Sequence, residues 1–203
     1  MMDALLVVDL QNDFMPGGAL GVEGGDTIIP LVNMLMPKFS LVVASQDWHP
    51  PGHVSFAETH GKNPGEEIDI NGVKQILWPT HCVEHTHGAA LIQTLNKDRI
   101  HKYFHKGTDK NIDSYSAFFD NGHIKETGLD AYLREKNVTR LLIVGLTTEY
   151  CVKYTALDAL ELGYEVAVIK DACRPVNLHP HDEKKALEEM TQAGAKILTS
   201  ADF

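Results

Sequence analysis

A buried strand that changes abruptly into a helix is the feature that most constrains this chain. Residues 141–144 form an unbroken apolar run ended by Gly145, a pattern typical of a strand buried on both faces. From Val152 onward, apolar residues recur at helical spacing until Gly163. A few small and polar residues, among them Cys151, separate the two elements. A strand of this kind belongs in a parallel sheet that helices cover on both faces.

The position of Cys151 gives its thiol a particular chemical environment. The pattern places it at or just inside the first turn of the helix, where unpaired N–H groups and the positive end of the helix dipole favour an anion. The same N–H groups could receive the oxyanion of a tetrahedral intermediate. Free cysteines are also among the most buried residues and often only pack, so the position alone leaves both roles open.

Predicted strands and helices alternate along the whole chain. Strands are expected at residues 4–8, 41–45, 101–105, 140–145, 165–169 and 196–198, and helices at 28–36, 89–95, 128–135, 152–162 and 181–193. The alternation predicts a three-layer α/β/α fold with a central, mostly parallel six-stranded sheet. No linker, repeat or low-complexity tract interrupts it, so residues 1–203 are expected to form a single domain. Residues 50–88 show no clear period, and loops of that length are often functional.

Charge and composition exclude several classes of protein. The net charge of −10 argues against a nucleic-acid partner, because phosphate binding needs a basic face. No apolar run approaches the ~20 residues of a membrane span, so no membrane partner is expected. The three cysteines, with no signal peptide predicted, indicate reduced thiols and a cytoplasmic location. The oligomeric state stays open, with a homo-oligomer among the alternatives.

Polar side chains follow four of the predicted strands. In chain order they are Asp9, Asp47 with His49, Lys106 and Cys151. The carboxyl ends of parallel strands meet at one edge of a sheet, which is where open α/β sheets bind ligands. Asp47 and His49 are two residues apart and would project to the same side of an extended chain. The sequence therefore predicts that a thiol, an amine, carboxylates and candidate metal ligands share one crevice.

These residue types predict amide hydrolysis through a cysteine. Lys106 beside Cys151 would favour the thiolate, and Asp9 could carry the thiol proton to the leaving amine if confinement raises its pKa. The thiolate would form an acyl-enzyme, with backbone N–H groups around Thr147 and Cys151 holding the oxyanion. Water would then release the acid. On residue type alone, a turn-capping Asp9 and a solvated Lys106 are equally good interpretations.

Several segments, in chain order, resemble one family. They are VVDLQNDF (7–14), SQDWHP (45–50), WPTHC (78–82), HKG (105–107) with DSYSAF (113–118), and VGLTTEYCV (144–152). Together they are similar to the isochorismatase-like cysteine hydrolases and, among these, to the nicotinamidases or pyrazinamidases. Each match is weak alone, but five in register over nearly the whole chain are specific. Many relatives have Asp where this chain has Glu149. The glutamate keeps the negative charge but adds a methylene group, so the resemblance does not fix the geometry of this turn.

The resemblance implies an enzyme, an amidohydrolase that acts on linear carboxamides. Its catalytic triad would be Asp9, Lys106 and Cys151, and its oxyanion hole the backbone of Thr147 and Cys151. The implied reaction converts nicotinamide to nicotinate and ammonia through a thioacyl-enzyme, with pyrazinamide also accepted and NAD salvage as the cellular role. A cis peptide bond before Thr147 is also implied.

The resemblance also implies a divalent metal ion, with zinc favoured and iron or manganese as alternatives. Its ligands would be Asp47, His49 and His81, with His53 as a candidate fourth. In this family the metal is thought to take the pyridine nitrogen, which would aim the carboxamide at the thiol. The ring would be walled by aromatic side chains, namely Phe14, Trp78, Tyr115 and Tyr150.

Three other interpretations stay open from the sequence. The same groups could act on another small carboxamide or on isochorismate, although Cys151 together with His81 disfavours an isochorismatase. Metal-activated water could perform the hydrolysis, with Cys151 only structural. The chain could also be a non-catalytic domain that binds a small ligand or a metal.

Overall fold

The computed structural model describes residues 2–70 and 72–203, and strands and helices alternate along it. Met1 and Asn71, which the single-domain prediction includes, lie outside the described residues. In chain order the elements are β1 (Met2–Val8), α1 (Ile29–Leu35), β2 (Val42–Asp47), β3 (Glu67–Ile70), β4 (Val73–Ile76), β5 (Lys102–Lys106), α2 (Leu129–Glu135), β6 (Val138–Leu146), α3 (Lys153–Glu161), β7 (Glu165–Arg174), α4 (Asp182–Ala193) and β8 (Lys196–Leu198).

Six strands form one sheet in the order β5-β2-β1-β6-β7-β8, and every neighbouring pair is parallel. Helix α1 covers one face through Val32 and Leu35. Helices α2, α3 and α4 cover the other, with Leu133, Ala156 and Met190 in its core. The predicted three-layer α/β/α fold is confirmed.

The apolar runs of the sequence are explained by the burial of the sheet on both faces. In β1, Leu5 and Val7 belong to the core on the α1 side, whereas Leu6 and Val8 belong to the core on the opposite side. All four are inaccessible to solvent. Side chains alternate between the faces of a strand, so a strand covered on both sides has no polar positions in its middle.

Residues 50–95 differ most from the prediction. Strands β3 and β4 form an antiparallel hairpin that has no counterpart among the predicted elements. The predicted helix at 89–95 is wrong. There the backbone pairs with the chain after β1 instead: the N–H of Ile92 donates to the carbonyl of Leu10, and Leu91 forms a bridge with Gln11. Those groups are then not available for helical i→i−4 bonds.

The passage from β6 to α3 also differs in detail. Residues Thr148–Val152 form a π-helical turn, and α3 begins at Lys153 rather than at Val152. The N–H of Val152 reaches back five residues to the carbonyl of Thr147, at 3.1 Å. Cys151 therefore sits in a wide turn ahead of the α-helix. The peptide bond between Leu146 and Thr147 is cis, as the resemblance implied.

Strand β7 is longer than predicted. It was expected to end at Ile169 but continues to Arg174, because its register against β6 shifts and Gly145 then pairs with Cys173. Within residues 2–70 and 72–203, no helix has both the length and the apolar character that crossing a bilayer requires.

Gly145 provides a test of the close contact between β6 and β1. Its φ is +123°, and a Cβ there would overlap the main chain of Val8. We expect Gly145→Ala to lower the free energy of unfolding by about 3 kcal/mol, because the added methyl group meets backbone that cannot yield. Urea unfolding monitored by circular dichroism measures this loss.

Gly163→Ala is the matched control. Gly163 also has a positive φ, +88°, but its Cβ would meet no described atom within 4 Å beyond the adjoining backbone. Only the backbone conformation is then unfavourable for alanine, at about 1 kcal/mol. Equal losses in the two variants would contradict the steric explanation.

Candidate active site

The sheet order brings the predicted polar side chains to one crevice. The strands lead outward from β1 through β2 to β5 on one side, and from β6 through β7 to β8 on the other. The carboxyl ends beside such a change of direction form the usual ligand crevice of an open α/β sheet. Asp47 ends β2 and Lys106 ends β5, whereas Asp9 follows β1 and Cys151 lies in the turn after β6.

Lys106 lies at the centre of this crevice and is 1% exposed. Its Nζ donates to Asp47 Oδ1 at 2.5 Å, to the carbonyl of Ser114 at 2.9 Å and to Cys151 Sγ at 3.3 Å. It also lies 3.0 Å from Asp9 Oδ2. Burial opposes the charge, but the two carboxylates outweigh it and raise the pKa of Lys106 well above its ordinary value. The side chain is therefore a fixed ammonium ion.

The two carboxylates beside Lys106 are in different electrostatic states. Burial raises the pKa of Asp9, and Lys106 only partly offsets it. The Ser45 hydroxyl donates to Asp9 Oδ1 at 2.7 Å, while Oδ2 makes no aligned hydrogen bond to any described group. Burial also acts on Asp47, but Lys106 holds the pKa of that carboxyl well below its ordinary value. Asp9 is thus suited to carry a proton and Asp47 to remain an anion.

Cys151 is buried, and its Sγ lies within 4.8 Å of a carboxylate oxygen of both Asp9 and Asp47. Burial raises the pKa of the Cys151 thiol well above its ordinary value. Lys106 favours the thiolate, as predicted, but this contribution is the smaller one. A thiol whose pKa is raised is protonated at neutral pH, so a neighbouring group must take its proton before the sulfur can attack, and Asp9 is the neighbouring carboxyl whose own pKa is raised.

Asp47, His49 and His81 offer ligand atoms that lie within 4.8 Å of one another. The Nδ1 atoms of His49 and His81 pair with the carbonyls of Gly107, at 2.9 Å, and Pro79, at 2.7 Å. Their Nε2 atoms lie 3.6 and 3.7 Å from Asp47 Oδ2. Such carbonyl bonds place the proton on Nδ1 and leave Nε2 as a metal-ligand lone pair.

The observation that most favours a metal here is the state of His49 Nε2. This atom is buried and has no hydrogen-bond partner in the described part of the chain. Buried polar atoms are almost always satisfied, so an unpaired one indicates an absent partner. Two imidazoles and one carboxylate fit a divalent transition-metal ion such as zinc.

His53 stands apart from that ligand group. Its ring stacks on His49 with centroids 4.2 Å apart, but its Nδ1 pairs with the Ser55 hydroxyl at 2.7 Å and its Nε2 with the carbonyl of Ile112 at 3.3 Å. Burial lowers the pKa of His53 to about 4, so the ring is neutral. His53 groups with His49 and Asp113 rather than with Asp47 and His81.

A cavity lined largely by aromatic and apolar side chains lies beside the thiol, and we call it the Cys151 cavity. The lining residues are Phe14, Leu20, Asp47, Trp78, His81, Asp113, Tyr115, Thr147, Tyr150, Cys151 and Val176. All four aromatic residues predicted to wall the substrate are among them, and so are Thr147 and Cys151, the two residues predicted to form the oxyanion hole.

Three lining residues were not predicted from the sequence, namely Leu20, Asp113 and Val176. Asp113 is supported by Gln75 of the hairpin, whose Nε2 donates to Asp113 Oδ2 at 3.1 Å. The segment that begins at Asp113 was part of the resemblance, which was the only available signal. Leu20 and Val176 lie in irregular segments with no pattern that marks them.

Known proteins share this fold and much of this sequence. The family model of the isochorismatase domain matches residues 3–202. A nicotinamidase from Escherichia coli is 49% identical over 204 residues, which cover 98% of this chain and 96% of that protein. A structure of the Acinetobacter baumanii nicotinamidase and pyrazinamidase is 44% identical, with a TM-score of 0.96 over 98% of this chain and 97% of that one. The Pyrococcus horikoshii pyrazinamidase in complex with zinc is 42% identical, with a TM-score of 0.80 over 98% and 99% of the two chains.

The central position of Lys106 can be tested through stability. Lys106→Met leaves Asp9 and Asp47 buried without their shared counter-ion. We expect the free energy of unfolding to fall by about 3–5 kcal/mol, because removing one partner of a buried ion pair leaves uncompensated charge. Chemical denaturation in the presence of a chelator measures the loss without a contribution from bound metal.

Lys102→Met is the control for this substitution. Lys102 lies on the same strand, but its side chain is exposed. Its loss should change stability by less than about 1 kcal/mol. Equal stabilities of the two variants would show that Lys106 does not hold the site together.

Proposed function

The chain belongs to the isochorismatase family, and we propose that it is a nicotinamidase, an amidohydrolase that converts nicotinamide to nicotinate and ammonia. The observation that carries this proposal is the contact of one buried ammonium ion, Lys106, with both Asp9 and Cys151 at the edge of an aromatic cavity. The high identity to nicotinamidases over nearly the whole chain supports the same substrate.

In the first half of the reaction, Asp9 and Cys151 act on the carboxamide together. Asp9 Oδ2 takes the proton of the Cys151 thiol as the sulfur attacks the carbonyl carbon and a C–S bond forms. The carbonyl oxygen becomes an oxyanion, which we assign to the backbone N–H groups of Thr147 and Cys151. Asp9 then gives its proton to the amide nitrogen, the C–N bond breaks, and ammonia leaves a thioacyl-enzyme.

The second half uses the same groups in reverse order. Asp9 removes a proton from a water molecule, and the hydroxyl oxygen attacks the thioacyl carbon. The C–S bond breaks, nicotinate is released, and the proton held by Asp9 returns to the sulfur. Lys106 keeps its charge throughout and stabilises whichever of Asp9 and Cys151 is the anion.

Asp47, His49 and His81 would hold a divalent metal ion in the proposed enzyme, and zinc is our first choice. The unpaired Nε2 of His49 and the zinc complex of the Pyrococcus horikoshii relative support this assignment. When bound, the metal supplies a Lewis acid that can take the pyridine nitrogen of the substrate and so fix the ring.

The walls of the Cys151 cavity suit a flat heteroaromatic ring. Trp78 and Tyr150 meet edge to face with ring centroids 4.9 Å apart, and Tyr115 lies 5.4 Å from Tyr150. We assign these three residues and Phe14 to the contact with the ring.

Pyrazinamide has a similar shape and is proposed as a second substrate. Release of nicotinate would place the enzyme in the salvage of nicotinamide towards NAD in the cytoplasm.

Cys151→Ala tests the nucleophile. We expect ammonia release from nicotinamide to fall by more than about 10³-fold, because no other group forms the thioacyl bond. Metal content should stay unchanged, since Cys151 is outside the proposed ligand set. A coupled ammonia assay and elemental analysis measure the two quantities.

Cys173→Ala is the matched control, because Cys173 is also a buried free cysteine but does not line the Cys151 cavity. It should retain turnover. Retained turnover in Cys151→Ala would instead favour hydrolysis by metal-activated water. Failure of the unchanged protein to release ammonia from nicotinamide, pyrazinamide or other amides would favour a binding domain.

His49→Ala tests the metal site. We expect it to lose the bound metal and to bind nicotinate more weakly, because one of three ligands is removed. Elemental analysis after dialysis and calorimetry with nicotinate measure the two effects. His179→Ala is the control, since His179 is exposed and belongs neither to the proposed ligand group nor to the lining of the Cys151 cavity. Full activity of the unchanged protein in a strong chelator would contradict the assignment.

A further inference from the structure

Glu149 is a buried acid that the proposed mechanism does not use. It lies two residues before Cys151 in the π-helical turn and is 4% exposed. Its Oε2 accepts from the N–H of Val176 at 3.2 Å, and its Oε1 accepts from the N–H of Asn177 at 2.5 Å. A carboxylate that accepts backbone N–H bonds on both oxygens is a strong, charge-assisted anchor.

The segment held by this anchor is a wall of the Cys151 cavity. Val176 lines the cavity directly, and so does Tyr150, the neighbour of Glu149 in the chain. Glu149 itself lies behind the wall. One side chain thus joins the turn that carries the nucleophile to the segment after β7 that faces the substrate.

The same segment is tied at its far side to helix α4. The N–H of Glu183 donates to Asn177 Oδ1 at 3.2 Å. Asn177 has a φ of +48°, a conformation that asparagine tolerates better than most residues. The segment after β7 is therefore held between the nucleophile turn and the first turn of α4.

We propose that Glu149 is a positioning residue that sets the width of the Cys151 cavity and thereby selects unsubstituted six-membered heteroaromatic carboxamides. By fixing the backbone of Val176 and Asn177, it keeps the Val176 side chain at the edge of the space that the substrate ring would occupy. Its effect is on binding and on discrimination between rings, not on the chemical steps. This proposal rests on the proposed function.

The geometry argues against a direct catalytic role for Glu149. Its oxygens accept from backbone N–H groups of the segment after β7, and it neither lines the Cys151 cavity nor pairs with Lys106 or Cys151 among the described contacts. The proton carrier of the mechanism, Asp9, has an oxygen without an aligned partner. Glu149 therefore acts through Val176.

The kinetic test is Glu149→Gln. A glutamine amide can accept only one of the two N–H bonds and turns an NH₂ group towards the other donor. We expect KM for nicotinamide to rise about tenfold while kcat stays within about twofold. One N–H of Val176 or Asn177 loses its acceptor, so the segment after β7 is held less firmly, while the reacting groups are unchanged. The preference for nicotinamide over 5-methylnicotinamide should fall by a similar factor. A fall in kcat at constant KM would overturn the proposal, since Glu149 would then act on the nucleophile turn.

Two further variants separate positioning from a general loss of structure. Glu149→Asp keeps both acceptor oxygens and should restore most of the discrimination between the two substrates. Glu165→Gln makes the same chemical change at an exposed position at the start of β7 and should leave KM unchanged. If Glu149→Asp is as impaired as Glu149→Gln, or Glu165→Gln raises KM equally, the proposal is wrong.

Val176→Ala identifies the route of the effect. If Glu149 acts through Val176, the double variant Glu149→Gln with Val176→Ala should be no less selective than Val176→Ala alone. Additive losses of selectivity would place the effect of Glu149 elsewhere and overturn the proposal.

Backbone amide exchange in the free protein gives a readout that does not depend on catalysis. The amides of Val176 and Asn177 should exchange at least about tenfold faster in Glu149→Gln than in the unchanged protein. Unchanged exchange would overturn the proposed anchor even in an active enzyme. If exchange is faster in Glu149→Gln but the unchanged protein hydrolyses no carboxamide, the proposed function is wrong while the anchoring of Val176 and Asn177 by Glu149 is supported.

Discussion

A single buried positive charge organises this molecule. The ammonium of Lys106 touches two carboxylates, a main-chain carbonyl and the thiol of Cys151, all away from water. Two carboxylate anions so close together repel each other and lose their hydration, and the ammonium offsets both costs. The arrangement also makes them unequal, because Lys106 holds the pKa of Asp47 well below its ordinary value while burial raises the pKa of Asp9. Two identical functional groups thus differ in acidity, which is what the proposed mechanism requires of Asp9 and Asp47.

The parallel sheet is what allows these groups to meet. Asp9 and Cys151 are distant in sequence, but they follow β1 and β6, which are neighbours in the sheet. The two strands pair up to Val8 and Gly145, and both side chains come after these positions. Lys106 comes from β5, two strands from β1, and its long side chain spans the end of β2. Because each strand is buried on both faces, its register is strongly specified, and so is the position of the residue that follows it.

The sequence was sufficient for the elements that follow a strong period, and insufficient where contacts are made between loops. The runs around Leu6 and Ile143 predicted the sheet because only a doubly covered strand has that pattern. The hairpin of β3 and β4 could not be predicted, since each strand has four residues with charges among them. Val176 could not be predicted as a cavity residue, because it is placed there by an acid 27 residues earlier. The high pKa of Cys151 was missed because burial cannot be computed from position in a turn.

The two imidazoles beside Asp47 have a consequence for how such a protein obtains its ion. Both rings are oriented by main-chain carbonyls, those of Gly107 and Pro79, and a larger residue at 107 would collide with the His49 ring. If these side chains hold the proposed metal ion, the fold itself orients them for it, and binding would require little rearrangement of the chain. The affinity of such a site for divalent first-row metals follows one general order, so selectivity among them also depends on site geometry and on which metals are available. The ion bound at the proposed site would then depend in part on which metals are available in the compartment where the protein folds.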